Sequence, residues 1–477
     1  MATGTDKPGK PSGKDVATKE RLSAYFTIAA AAFGLISDGY QNNLMTMSNV
    51  VFKKLYPNDY TAVVSTRVSN ALLVGAVLGQ VCVGLICDRI GRKVALVATT
   101  LLIVVGATLA TAAHASTPAG LFWFLTVARG ITGVGVGGEY PASSTSASEA
   151  ANEKMLKRRG PVFIMVTNFV LSFGGPLAVS IFLIVLSAAG ERHLQTVWRS
   201  EAVSERSNQE TCSLLAVSEK ILESFNRDMR GMVLVRFRGY FLFGHQYTQV
   251  SKLNKVTFPN GVFSGTIISS VVVNGNLKAT AEWQLLLGAI ALPGVLVGAY
   301  LCNILGRRNT MMLGFSGYLL FGLIIGLAYD RIIKIIPLFV VFYGLMQSCG
   351  NMGPGDMLGL VSAESFPTSM RGTGYGLAAA IGKTGAAVGT QVFTPIQNNL
   401  GKKWTFIIAA ICGVTGVIVT YLFVPDMTGV DLADEDVKWM QYLAENGWEG
   451  QIGEDDDKEL VFNAVNSSDE EKASLQG

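Results

Sequence analysis

Charge is what this chain has least of. Of 477 residues, 15% are Asp, Glu, Lys or Arg, against roughly a quarter in soluble globular proteins. The net charge of +3 is too small to mark a nucleic-acid binder. Histidine and cysteine are sparse, at 3 and 6 residues. The cysteines have no paired spacing, and Cys82, Cys87, Cys302 and Cys412 lie in or beside apolar runs, as small core residues do. There is no nucleophile–base pair, no metal-ligand cluster and no Walker-type phosphate loop, which argues against an enzyme and against ATP-driven pumping. No cofactor is expected. The polar stretch from Met1 to Glu20 lacks the short apolar core of a cleaved signal peptide.

What the chain has in abundance is apolar length. Hydrophobic residues make up 49% and the mean hydropathy is +0.38. Glycine is plentiful, at 53 residues, as where helices pack closely in lipid. Apolar stretches long enough to cross about 30 Å of hydrocarbon as helix fall near 24–47, 63–87, 94–113, 120–147 and 161–188, and again near 256–275, 283–304, 311–329, 335–362, 373–395 and 405–424. An all-α membrane protein follows. The expected division is a polar tail over 1–21, a transmembrane half over 22–198, an atypical polar segment over 199–255, a second transmembrane half over 256–424 and an acidic tail over 425–477.

Basic residues set the orientation. Lys7, Lys10, Lys14, Lys19 and Arg21 precede the first span, Arg89, Arg92 and Lys93 follow the second, and Lys154, Lys157, Arg158 and Arg159 follow the fourth. The positive-inside rule makes that side cytosolic and places both termini there. The halves also echo one another. Asp88-Arg89-Ile90-Gly91-Arg92-Lys93 after the second span matches Asn303-Ile304-Leu305-Gly306-Arg307-Arg308 in the second half. Glu149 followed by Arg159 is echoed by Glu364 followed by Arg371. Glycine lets such a loop turn sharply, and its basic residues can bond helix C-terminal carbonyls and lipid headgroups. Two related halves are the signature of a transporter with a midplane site between them.

Asp88-Arg89-Ile90-Gly91-Arg92-Lys93 resembles the loop signature of the major facilitator superfamily. The run Gly-Val-Gly-Gly-Glu-Tyr-Pro-Ala-Ser at 135–143 resembles the fourth-helix motif of its phosphate:proton symporter branch. Glu139, the run 146–152 and the stretch from Leu35 to Gln41 are most similar to fungal glycerophosphoinositol permeases. The resemblance implies a major facilitator fold of two six-helix halves and proton-coupled import of a glycerophosphodiester, glycerophosphoinositol above all, across the plasma membrane. An inorganic phosphate:proton symporter stays open, as does a nutrient sensor that binds without transporting. The partners expected are a small organic phosphate, protons and the bilayer, with no nucleic acid, and the protein is expected to be a monomer.

The stretch from Arg199 to Lys255 departs from that pattern. It is rich in Ser, Glu, Arg and Gln, and its longest apolar run is broken by Arg236 and Arg238. The resemblance implies a sixth span here, missing or disrupted in this sequence, and an acidic residue opening the seventh, where Asn254 stands instead. If nothing crosses here, every later loop inverts and Gly306-Arg307-Arg308 faces outward, against the charge rule. Two readings follow: a variant with a large loop and a distorted sixth segment, or a stretch that is not native coding sequence, such as a gene-model or splicing error. The second is favoured.

Charge inside the spans is costly, and a functional role is its default reading. Asp38 lies near mid-membrane in the first span; the competing reading is a carboxylate satisfied by Tyr40 or Gln41. Glu139 and Tyr140 open the polar part of the fourth span. A carboxylate beside an anion is tolerable only if one of them is protonated or a cation stands between. Lys383, mid-span among small residues, is that cation. Asn168, Gln347 and Asn351 are candidate hydroxyl partners. The resemblance implies a proton site at Asp38 and a phosphate site at Glu139, Tyr140 and Lys383. Arg129, with Gly133 and Gly137, resembles the fourth-helix basic motif of proton-coupled members, for gating or proton relay; an outer salt bridge is the alternative. The glycine run 133–138 lacks a preceding strand and a βαβ unit, so it reads as helix packing and not as a dinucleotide loop.

Overall fold

The computed structural model describes residues 35–155, 159–200, 203, 263–272, 276–430 and 432–445. Their regular structure is helical throughout. A chain in hydrocarbon must satisfy its own backbone donors and acceptors, and a helix does so within one segment. In the first half α1 covers 35–55, followed by α2 (Ala62–Ile90), α3 (Arg92–Ala112) and α4 (Pro118–Met155). Helix α5 (Arg159–Ala189) contains a π turn at Met165–Phe169, and α6 covers 194–200. In the second half α7 (Ser264–Ser269), α8 (Leu277–Ile304) and α9 (Arg307–Leu327) follow. Helix α10 runs over 336–364 as Ile336–Gly350, a π turn at Asn351–Gly355, and Asp356–Glu364. Then come α11 (Arg371–Leu400), α12 (Lys403–Phe423) and the amphipathic α13 (Leu432–Glu445). Seven of these segments are long and apolar enough to cross a membrane. Of the atypical segment, 199, 200 and 203 are described; the rest of it, Asn254 included, all of the 1–21 tail and most of the 425–477 tail lie outside the described residues.

The repeated loops turn as expected. Gly91, between α2 and α3, has φ 89°, and Gly306, between α8 and α9, has φ 85°, a left-handed conformation that glycine alone adopts without strain. Arg307 gives Nη1 to the carbonyl of Cys302 at the end of α8, at 3.1 Å, satisfying an orphan helix carbonyl. The glycine run of α4 is a packing surface. A Cβ on Gly133 would stand 2.3 Å from the carbonyl oxygen of Leu72, and one on Gly137 2.1 Å from that of Ala76, so α2 and α4 lie backbone to backbone.

Two seams join the halves. One runs between α2 and α11, the other between α5 and α8. At one end of the bundle Asp88 accepts hydrogen bonds from the backbone N–H groups of Gly372 (3.1 Å) and Thr373 (2.7 Å). At that same end Arg159 from the first half meets Glu364 from the second. The turns at Gly91 and Gly306 therefore face the same way, and the inversion that the polar stretch threatened does not occur among the described helices. At the other end Leu277 and Ala281 of α8 share a core with Phe52, Phe122, Phe182 and Trp198. The halves touch at both ends of the bundle.

Candidate substrate site

Between the seams lies a cavity of about 350 Å³ lined from both halves. Its polar wall is built on broken or irregular helix. Pro141 follows Tyr140 in α4 and has no N–H to give to the preceding turn. The hydroxyl of Ser143 bonds back to the Glu139 carbonyl at 2.6 Å, and that of Ser146 to the Ala142 carbonyl at 2.7 Å. Asn168 lies within the π turn of α5 and Asn351 opens that of α10, the kind of bulge that recurs at functional sites. The two turns meet: Asn168 Nδ2 donates to the Gly355 carbonyl at 2.7 Å, across the halves.

Lys383, Tyr140, Asn168, Gln347 and Asn351 all line this cavity. The Lys383 ammonium stands 5.4 Å from the centroid of the Tyr140 ring, within cation–π reach. Asp38 and Glu139 lie just behind that wall, at 0% and 1% exposure. Their carboxyl groups face one another, and Lys383 is within electrostatic reach of Asp38. Glu139 Oε1 also accepts from the Thr100 hydroxyl at 2.7 Å. Tyr40 and Gln41, the local partners considered for Asp38, make no hydrogen bond with its carboxyl oxygens.

Arg129 does not join this group. It is buried, its Nη2 lies 3.5 Å from the Gln41 carbonyl, and Tyr60 is its neighbour toward the far end of the bundle. The loop residues form a separate cluster at the opposite end. Glu364 binds Arg159 at 2.9 Å and Arg307 at 3.1 Å, and Arg371 gives Nε to the Phe366 carbonyl at 3.1 Å. The side chains of Arg92 and Glu149 lie outside the described residues.

Gln80, Gln284 and Asp356 are among the cavity-lining side chains not singled out from the sequence. Gln80 of α2 and Gln284 of α8 are buried amides. Asp356, directly after the π turn of α10, is a carboxylate at 0% exposure. The rule that flags Asp38 applies equally to Asp356, inside the expected span 335–362.

Two helical halves enclosing a polar, charged cavity deep in an apolar bundle define a class, the helical membrane transporter. The chain belongs to the family described as Sugar (and other) transporter, which matches residues 24–205 and 220–439; the unmatched 206–219 fall inside the polar stretch. It is 50% identical to glycerophosphoinositol permease 1 of Candida albicans, over 94% of this chain and 88% of that protein. It is 46% identical to glycerophosphoinositol transporter 1 of Saccharomyces cerevisiae, over 96% and 90%. Among solved structures, the proton:xylose symporter XylE from E. coli superposes with a TM-score of 0.73 at 16% identity, covering 87% of this chain and 99% of that one. The major facilitator fold and the likeness to fungal glycerophosphoinositol permeases both hold.

Proposed function

We propose that this chain imports a glycerophosphodiester, glycerophosphoinositol first, coupled to protons by alternating access of its two halves. The observation that carries the reading is the pairing of one intramembrane ammonium, Lys383, with two facing carboxyls, Asp38 and Glu139, at the wall of a cavity shared by both halves. The names of the relatives at 50% and 46% identity support the substrate. A phosphodiester carries one negative charge, which Lys383 balances. Two buried carboxyl groups in contact do not both stay ionised, so one proton belongs to the pair. A proton taken up with the substrate keeps the loaded site close to neutral, and a neutral load is what crosses low-dielectric surroundings at tolerable cost. Tyr140 holds the ammonium by its ring face and presents its hydroxyl beside Asn42.

The volume favours the larger of the two phosphate ligands. About 350 Å³ lies in the range that takes drug-sized ligands, well beyond the needs of one inorganic phosphate. The protein works as a monomer in the plasma membrane with both termini in the cytosol, where the positive-inside rule places them. The expectation of non-native coding sequence within 199–255 narrows to 206–219, the part outside the family match, and sequencing the transcript across codons 199–255 tests it. For the function, uptake of labelled glycerophosphoinositol into cells expressing the full chain, with unlabelled glycerophosphoinositol and phosphate as competitors, is decisive. Inhibition by phosphate alone overturns the substrate in favour of inorganic phosphate. Binding without accumulation along a proton gradient points to a sensor.

A further inference from the structure

The cavity has a second polar pole away from Lys383. Lys383 belongs to α11, on the α2–α11 seam, whereas Asp356 lies on the α5–α8 seam. A Cβ on Gly298 of α8 would stand 2.0 Å from Asp356 Oδ2, and the amide of Asn168 from α5 lies against the same carboxyl. Asp356 lines the cavity at 0% exposure. Its carboxyl oxygens make no well-aligned hydrogen bond among the described residues, and the Asn168 amide is the one donor turned toward them.

The amides around it each give one N–H elsewhere and keep one. Asn168 gives an amide N–H to the Gly355 carbonyl at 2.7 Å. Asn351 gives one to the Ala291 carbonyl at 3.1 Å. Gln284 gives one to Ser264 Oγ at 2.8 Å, which leaves its Oε1 without a partner. Gln347 turns its amide toward the Tyr343 hydroxyl. Three acceptor oxygens without a well-aligned donor, two on Asp356 and one on Gln284, therefore line this side of the cavity. A buried polar group left in that state is costly, so the missing donors are expected from the ligand. Phosphate oxygens without a proton only accept. A trimethylammonium group has no N–H to give, so its charge can draw it toward the carboxyl but leaves both acceptor oxygens without a hydrogen bond. Alcohol O–H groups donate, and two neighbouring ones match the two oxygens of a carboxylate.

We propose that Asp356 is the acceptor for hydroxyl groups on the polyol part of the ligand, and that it selects a polyhydroxylated phosphodiester over one with a choline head. The proposal rests on the transport reading above: Lys383 holds the phosphodiester at one pole and Asp356 takes the sugar-alcohol end at the other. Asp356 acts on specificity, and the coupling carboxyls Asp38 and Glu139 are separate from it.

The test compares two ligands that share glycerol and phosphodiester and differ in the head. Purified full-length wild type, Asp356→Asn and Asp356→Ala are scored for inhibition of labelled glycerophosphoinositol binding by unlabelled glycerophosphoinositol and by glycerophosphocholine. The shift in thermal melting produced by each ligand is read in parallel. The expected result is an inhibition constant for glycerophosphoinositol at least about tenfold weaker in both variants, with that for glycerophosphocholine changed by less than about twofold. A melting shift retained with glycerophosphocholine shows that the variants are folded. Equal weakening of both ligands, no weakening of either, or a larger loss for the choline compound overturns the role of Asp356 while the transport reading stands. A wild type that binds neither diester overturns both.

Discussion

Arg159 of α5 and Glu364 of α10 are joined at 2.9 Å across the two halves, and Arg307 of α9 closes on the same carboxylate at 3.1 Å. All three side chains are buried. Opening the bundle at this end separates α5 from α10 and so breaks the first of these contacts. Glu364→Gln leaves two buried guanidinium groups facing each other without their carboxylate, a loss of about 3–5 kcal/mol when one partner of a buried pair is removed. Cys302 supplies the reporter: it is buried, and a Cβ on Gly160 of α5 would stand 3.1 Å from its sulfur. In a variant keeping Cys302 as its one cysteine, Glu364→Gln should speed thiol labelling at Cys302 at least about tenfold, the change that 1.4 kcal/mol produces. Unchanged labelling would show that the ion pair does not hold the seam.

Lys383→Ala should abolish uptake while leaving membrane insertion intact. The ammonium lines the cavity beside Tyr140, and a hydrogen bond to a charged group contributes about 1.5–3 kcal/mol. Binding of glycerophosphoinositol should therefore weaken by about 10- to 150-fold, with surface expression scored on the same cells. Normal uptake in this variant would mean that the phosphate rests elsewhere.

Why some of this was readable from the chain and some was not follows from where each interaction is decided. Asp38, Glu139 and Lys383 stand out because the cost of a charge in hydrocarbon belongs to the single residue and its depth. Gly91 and Gly306 stand out because a tight turn is local. The ion pairing is not local. The sequence repeat sets Glu149 beside Arg159 and Glu364 beside Arg371, yet the fold pairs Arg159 with Glu364 from the other half. Which basic residue meets which acid depends on the docking of the halves, and no short-range pattern carries it. The two π turns are equally invisible: a change of backbone hydrogen-bond register at Met165–Phe169 and Asn351–Gly355 leaves the apolar run unbroken. Those turns aim Asn168 and place Asp356. Arg129, whose fourth-helix motif points to gating or proton relay, reaches the Gln41 carbonyl of α1 one turn from Asp38, a contact that its motif does not carry.

Gly133→Val should destabilise the first half without touching the cavity. A Cβ at this position would stand 2.3 Å from the Leu72 carbonyl oxygen, 3.0 Å from Leu72 Cα and inside the backbone contact of α2 with α4. The helices have to part to admit it, and overpacking of this kind costs about 1–3 kcal/mol or more. The measurement is thermal melting in detergent against Gly130→Ala, where a Cβ would meet nothing within 4 Å. Gly130→Ala should melt as the wild type does, and Gly133→Val clearly lower. Equal melting would mean that the helices are not in backbone contact there.

Asp38→Asn tests the coupling itself. Its carboxyl faces that of Glu139 and lies within reach of Lys383. Asparagine keeps the size and much of the hydrogen-bonding capacity but neither takes up nor releases a proton. If the carboxyl pair carries the proton inward with the substrate, the wild type should accumulate glycerophosphoinositol faster as external pH falls, because more of the pair is protonated and the inward gradient is steeper. As external pH rises the rate should fall. Asp38→Asn should flatten this dependence and end accumulation against a gradient, while exchange of labelled for unlabelled substrate continues, since exchange needs the site to load and reorient without net proton flow. Proteoliposomes with a set internal pH separate the two rates. A variant that still accumulates substrate with the wild-type pH profile would remove Asp38 from the proton path and leave Glu139 to carry it alone.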